Sequence, residues 1–320
     1  MSVFNEIRRG CRAVAEQASH VRIDHDRLAD YAATLTRDGN SVPTLDPAYH
    51  HLGRGEDTLA FIVMLDAINF GSGWFPHLRK RPGLSGYFTV AAALTDHCRR
   101  NGVPDAAALA ALSAADCTRL FAQDPANQPV GELMALFARA LNDLGRYVLS
   151  NFDGRFSHLV EAAQCSAQRL VGLLARMPCF ADVEIYRGDP VPFYKRAQLT
   201  AADLSIAFDG KGWGRFSDLH RLTIFADNLV PHVLRLDGVL VYDPELARRI
   251  DAEQLIASGS PEEIEIRAGA LHAVELLVAE LRRRGHDTTA MGIDYLLWNR
   301  GQSPEYKQAK PRHRTRTVYY

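Results

Sequence analysis

Residues 222–234 read LTIFADNLVPHVL, and the rest of the chain is best read outward from them. Leu222, Phe225, Leu229 and Val233 recur at helical spacing, which predicts a helix with one buried face. Asp227 places a carboxylate among those apolar and aromatic residues. Four residues later comes Pro231, which lacks a backbone donor and therefore opens a helix or kinks one. A carboxylate in such surroundings is ionised only at a cost unless a charge or hydrogen bond compensates. It is thus either a structural cap or a working acid, nucleophile or cation stabiliser. Spacing alone favours the cap, since helix caps are commonplace.

A length of 320 residues, 47% of them hydrophobic, allows one large domain or two smaller ones. Lys plus Arg number 37 against 38 Asp plus Glu. A balance so near neutral argues against a general nucleic-acid or membrane-surface binder, which would carry a basic surplus. No stable nucleic-acid complex is expected, and any nucleotide ligand should be small and met by a local basic cluster. The five cysteines (Cys11, Cys98, Cys117, Cys165 and Cys179) are scattered, with no CxxC pair. They predict buried free thiols rather than disulfides or a zinc site. The start, MSVFNEIRRGCRAVAEQ, lacks an apolar signal core, and no stretch reaches transmembrane length. A soluble, cytoplasmic protein with no membrane partner is the expectation.

Taken in order, residues 3–16 and 24–37 read as amphipathic helices, the second capped by Asp24, with a break at Gly39-Asn40. Residues 57–69 are strongly apolar, of helical or buried character, and end in FGSGWFP (70–76), a loop suited to ligand approach or to a rigid corner. Helices follow over 84–100 and 105–121, the latter a pair with a capping-box pattern from Ser113 to Asp116. Long helices are predicted over 129–150 and 158–177. Residues 180–197 read as a β-hairpin around Arg187-Gly188-Asp189-Pro190, leading into a helix that runs through Phe208. GKGWG (210–214) lacks the order of a phosphate-cradling P-loop. Residues 236–242 suit a short strand or an apolar loop. Residues 243–257, 260–284 and 288–299 are helical, with Ser260 and Pro261 starting the middle one. The tail from 307 is basic. With no repeat or linker, the whole chain (1–320) reads as a single irregular helical domain, mainly α, with a small β insertion.

Two acids sit in apolar, aromatic settings: Asp227, and Asp294 within MGIDYLLWN (291–299). They suit a catalytic pair with divergent pKa values, or equally a cap and a salt-bridge partner for nearby arginines. Lys195 in FYKR (193–196) could meet a phosphate as a point charge, although a snorkelling lysine beside packed aromatics is the commoner case. His50 and His51 are adjacent, so at most one faces a pocket. No HExxH spacing, GxSxG or Cys/His nucleophile context is present, so no metal site is expected.

FYKRAQ (193–198), FSDLHRLTIFADNLVPHVL (216–234), EIEIRAGALHAVELL (263–277), IDYLLWN (293–299) and RHRTRTVYY (312–320), together with LDAINFGSGWF (65–75) and GYFTVAAAL (86–94), resemble the queuosine salvage protein family. The resemblance runs essentially end to end, and several long blocks in the right order are far more specific than one motif.

The resemblance implies a mainly helical protein with a core like that of DNA glycosylases. It implies N-glycosidic hydrolysis of queuosine 5′-phosphate, a small-molecule substrate, to queuine and ribose 5-phosphate without a cofactor. Asp227 would stabilise or trap the oxocarbenium-like sugar. Phe225 would pack on the base, Asp294 would accept from its N1–H and exocyclic amine, and Tyr295 would support Asp294. His50, with His51 as an alternative, takes the place of the family's N-terminal histidine. Lys195 would serve the 5′-phosphate, helped by Arg314 and Arg316 unless these only tie down the tail. Asn299 stands where some members carry Asp, and offers the amine of queuine's side arm a neutral hydrogen bond in place of a charge. Two other readings compete: a queuosine-nucleotide or tRNA-binding protein without turnover, and a DNA-repair glycosylase, which rests on fold analogy alone.

Overall fold

The computed structural model describes residues 2–35 and 43–320. The predicted end of a helix at Arg37 and the break at Gly39-Asn40 lie outside the described residues. The chain is mainly helical, and its strands form two small antiparallel pairs. Two compact units emerge, each assembled from separated segments. One draws on the N-terminal segment, Asp182–Lys195 and His220–Arg316; the other on Thr44–Ala181, Arg196–Leu219 and Thr317–Tyr320.

The first unit is built around the helix Pro261–Arg283. Ser260 caps it by accepting from Glu263 N, Pro261 fills the first turn where its missing N–H costs nothing, and Arg282 and Arg283 face the negative end of the dipole. Ile264, Ile266, Leu271, Val274 and Leu277 are buried along it. The helix Val3–Gln17 packs against it through Phe4, Ile7, Cys11 and Val14, an i, i+3, i+4 stripe. The helix His25–Leu35 packs there too, and Arg27 N donates to Asp24 Oδ1 at 3.0 Å, so Asp24 caps it as expected.

Strand Val21–Ile23 pairs antiparallel with Leu240–Tyr242. The second lies within 236–242, where the sequence left a short strand or an apolar loop open; the first, three residues long, was not foreseen. The buried carboxylate of Glu265 gathers the N–H groups of Ser19, His20 and Val21 at 3.0, 2.6 and 3.1 Å, which fixes that strand to the central helix. Val183–Tyr186 and Asp189–Pro192 form the predicted hairpin, turning at Arg187 and Gly188 with positive φ.

One expectation fails at the centre. Residues 222–229 are not helical; the helix here is Val230–Leu236. Pro231 sits in its first turn and starts it, and residues 222–226 are buried continuously instead of on one face. Helix 243–257 is likewise shorter, Pro244–Asp251, and a further helix, Pro304–Ala309, follows Ala290–Gly301.

In the second unit, Gln128–Asn151 packs against the short helices Ala106–Ala110 and Ala114–Leu120, and the capping box at Ser113 and Asp116 is present. The helix Glu56–Ala67 is buried on all sides from Thr58 onward, as its unbroken apolar run requires. The predicted helix 158–177 is broken into Phe156–Glu161 and Ala167–Leu174, because Gln164 and Cys165 take positive φ between them. The loop at 70–76 is closely packed. Gly71 has φ 121°, a Cβ there would lie 2.9 Å from Phe75, and Trp74 Nε1 donates to Glu132 at 2.8 Å. The five cysteines are free, with only Cys165 partly exposed. Among the described residues no His/Cys/Asp/Glu cluster could hold a metal ion, and no helix is long and apolar enough to cross a membrane.

Candidate active site

Residues 222–229 run through the first unit without regular secondary structure, so their backbone groups need partners from elsewhere. Side chains supply them. Arg8 donates to the Arg221 carbonyl at 2.8 Å and is itself held by Glu275 at 2.8 Å. The N–H of Phe225 donates to Asp294 Oδ1 at 2.9 Å. The carbonyl of Ala226 accepts from Arg267 Nε at 3.0 Å. Asn228 Nδ2 donates to the carbonyl of His313 at 3.1 Å.

Asp227 is half-buried in the middle of this segment. Its Oδ1 accepts from Leu229 N at 2.7 Å and Val230 N at 3.2 Å, the N–H groups exposed at the start of the helix Val230–Leu236. Its Oδ2 makes no hydrogen bond to the protein among the described residues. The sequence left a choice between a cap and a working carboxylate; the geometry accommodates both, one oxygen for each. The cap bonds fix the carboxylate's orientation without occupying its second oxygen.

Asp294 and Tyr295 lie on the helix Ala290–Gly301, which Thr289 caps by accepting from Gly292 N. Asp294 is buried, and its bond to Phe225 ties this helix to the Asp227 segment. The rings of Phe225 and Tyr295 meet edge to face, with centroids 6.0 Å apart at 79°. Gly301 permits this placement, because a Cβ there would lie 2.8 Å from Leu229 and 2.9 Å from Val233. Asn299 is exposed four residues beyond Tyr295, on the same helix face.

Behind the segment lies a buried ionic cluster. Arg267 reaches both oxygens of Asp182, at 3.0 and 2.7 Å, and lies 4.0 Å over the ring of Phe193. Lys195 is buried, and its backbone N–H donates to Asp182 Oδ2 at 3.1 Å. Burial, with the nearby Glu263 and Asp182 adding and Arg267 opposing, pushes Glu184 up to about 7.

On the other flank, His232 and His313 are buried and held neutral. Burial pushes His232 down to about 4 and His313 down to about 3, with the cations Arg312 and Arg235 contributing to both. Arg312 precedes His313. Its side chain keeps contact with solvent, yet crowding by protein lowers its pKa while Asp227 opposes the shift. Arg314, by contrast, is committed outward, donating to the Glu253 carbonyl at 2.7 Å with the Glu253 carboxylate 3.7 Å away.

His50 belongs to the second unit. Its Nδ1 lies 2.8 Å from the Asp46 carbonyl and so carries the proton, leaving Nε2 to accept from Tyr87 OH at 3.1 Å. Burial lowers its pKa, which keeps that tautomer neutral. His51 is also buried, with its ring against Phe61.

Of the residues singled out in the sequence, Phe225, Asp227, Asp294 and Tyr295 come together around one backbone segment. Arg267, Asp182, Asn228 and Arg312 were missed. Only Arg267 left a signal: within EIEIRAGALHAVELL it is a cation on a face otherwise buried at helical period. The others are recruited across long sequence separations.

The queuosine salvage protein family model matches residues 49–320. A protein of Sphaerobacter thermophilus named queuosine 5′-phosphate N-glycosylase/hydrolase is 40% identical over 317 residues, covering 97% of this chain and 96% of its own length. Proteins of the same name from Mus musculus and Bos taurus are each 30% identical, covering 98% of both chains. With that family match and relatives aligned over nearly their whole length, this chain belongs to the queuosine salvage protein family.

Proposed function

We propose that this protein hydrolyses the N-glycosidic bond of queuosine 5′-phosphate, giving queuine and ribose 5-phosphate, and so returns queuine for tRNA modification. The observation that carries the reading is the Asp227 carboxylate, oriented by two backbone donors through Oδ1 with Oδ2 unengaged, beside the Phe225–Tyr295 aromatic corner.

In this mechanism the bond between C1′ and the base nitrogen breaks, and its electron pair leaves with the base, which takes up a proton. Positive charge develops on the sugar ring, and Asp227 stabilises it from a fixed position, with no reorganisation needed as the charge appears. Water then delivers its oxygen to C1′ and gives up a proton, so the net reaction consumes one water. A 7-deazapurine has no N7 to protonate, so contacts to the rest of the base carry more of the leaving-group stabilisation. Phe225 and Tyr295 provide apolar surface against the base. A carboxylate oxygen accepts more than one hydrogen bond, so Asp294 can hold Phe225 and the guanine-like edge together. Lys195 contributes charge to the phosphate, and Asn299 offers a neutral contact to the base's side arm.

The test is incubation of the full chain with queuosine 5′-phosphate and no added cofactor, following free queuine by mass. Equal amounts of queuine and ribose 5-phosphate are expected, with no base release from duplex DNA. Tight binding without release would overturn the reading and leave a nucleotide-binding protein.

A further inference from the structure

We infer that Arg312 binds the 5′-phosphate of the nucleotide and makes cleavage depend on it. The inference rests on the function proposed above and deepens it.

Arg312 is pinned near the reacting carboxylate by the neighbouring backbone, since Asn228, the residue after Asp227, donates to the carbonyl of His313, the residue after Arg312. Its guanidinium makes no hydrogen bond or ion pair among the described residues, whereas Arg314, two residues on, is engaged by Glu253. Asp227 is the acid that acts on Arg312 electrostatically, yet no ion pair closes between them. A carboxylate and a guanidinium held near each other but apart leave room for a group that satisfies both. A ribose 5-phosphate is such a group, with C1′ over the carboxylate and the phosphate, a few bonds away through C5′, on the guanidinium. A planar guanidinium matches phosphate oxygens in a bidentate fork.

The surrounding charge agrees. A phosphate monoester carries nearly two negative charges at neutral pH, more than Lys195 alone can neutralise. Burial first, and Arg312 in part, keeps the buried histidines His232 and His313 neutral, while the neighbouring Arg235 is already balanced by Asp251 at 2.8 Å.

The placement has a kinetic consequence. Without a phosphate, the Arg312 charge opposes the sugar cation that Asp227 supports. A bound phosphate cancels that opposition, so the phosphate acts on kcat as well as on KM.

The experiment measures queuine release from queuosine 5′-phosphate by the full chain, Arg312→Gln and Arg312→Lys. The unphosphorylated nucleoside is run beside it, as a substrate or, where turnover is too slow, as a competitive inhibitor. Arg312 is solvent-accessible, and circular dichroism and melting verify that the variants fold. Arg312→Gln is expected to lose about 10- to 100-fold in kcat/KM on the nucleotide, the range of one charge-assisted bond, with no comparable loss for the nucleoside. Inhibition by inorganic phosphate should weaken in parallel, and Arg312→Lys should recover part of the loss. Equal losses on nucleotide and nucleoside, or none on the nucleotide, would overturn the inference while leaving the hydrolase reading intact. Absence of release by the unmodified protein would instead count against the proposed function itself.

Discussion

Arg267 Nε donates to the carbonyl of Ala226 at 3.0 Å, one residue before Asp227, while its terminal nitrogens hold both oxygens of Asp182. One fully buried guanidinium thus closes the hairpin that follows Asp182 and holds the backbone next to Asp227, the carboxylate proposed to react. Replacing Arg267 with Met leaves Asp182 buried without its cation, and breaking such a pair costs about 3–5 kcal/mol. Chemical denaturation should register that loss. Arg267→Lys keeps a charge but cannot span Asp182 and Ala226 together. It should retain more stability than Arg267→Met and still fall well below the unmodified protein in kcat. A lysine variant with unchanged kcat would show that the Ala226 contact does not position Asp227.

Glu184 gives the protein a pH dependence of defined sign. Burial first, then Glu263 and Asp182 against the opposing Arg267, raises its folded pKa to about 7 from the ordinary glutamate value of 4.5. Between those values the folded state holds the proton more tightly than the unfolded one, so this group's contribution is complete below pH 4.5 and is lost as pH rises through about 7. Glu184→Gln removes the titration. Relative to the unmodified protein, the variant should gain stability as pH is raised from 5 to 8, measured by thermal melting across that range. A difference that stays flat or runs the other way would rule out this titration.

Gly301 is where the helix carrying Asp294 touches the helix that Asp227 caps. A Cβ at this position would press on Leu229 and Val233 at 2.8 and 2.9 Å. Helix propensity alone would make Gly301→Ala stabilising by up to about 1 kcal/mol. Overpacking costs about 1–3 kcal/mol, so the net change should be destabilising and base release should slow as Asp294 shifts. A stabilised, fully active Gly301→Ala would mean that the contact relaxes freely.

Much of the fold was legible because helix boundaries carry local chemistry. Ser113 with Asp116, Ser260 with Pro261, and Asp24 all cap where their sequence patterns place them. The segment around Asp227 was misread for an equally local reason. Leu222, Phe225, Leu229 and Val233 satisfy a helical period, but Thr223, Ile224 and Ala226 between them are buried too, and only Pro231 marks where the helix starts. What holds this segment in place of helical bonds comes from Arg8, Arg267, Asp294 and the carbonyl of His313, all distant in sequence. No local pattern encodes such pairings. The residues proposed to meet the base were accessible through family resemblance; those that set the backbone beneath them emerged from the fold.

The central claim is that Asp227 serves the reaction with one oxygen while capping a helix with the other, and Asp227→Asn separates the two roles. Asparagine keeps a side-chain oxygen for Leu229 N and Val230 N but carries no charge to stabilise the sugar cation. Queuine release from queuosine 5′-phosphate should fall by at least about 10²–10³-fold, the usual cost of losing one preorganised electrostatic partner, with little change in melting temperature. An Asp227→Asn protein that melts normally and releases queuine at the original rate would contradict the account.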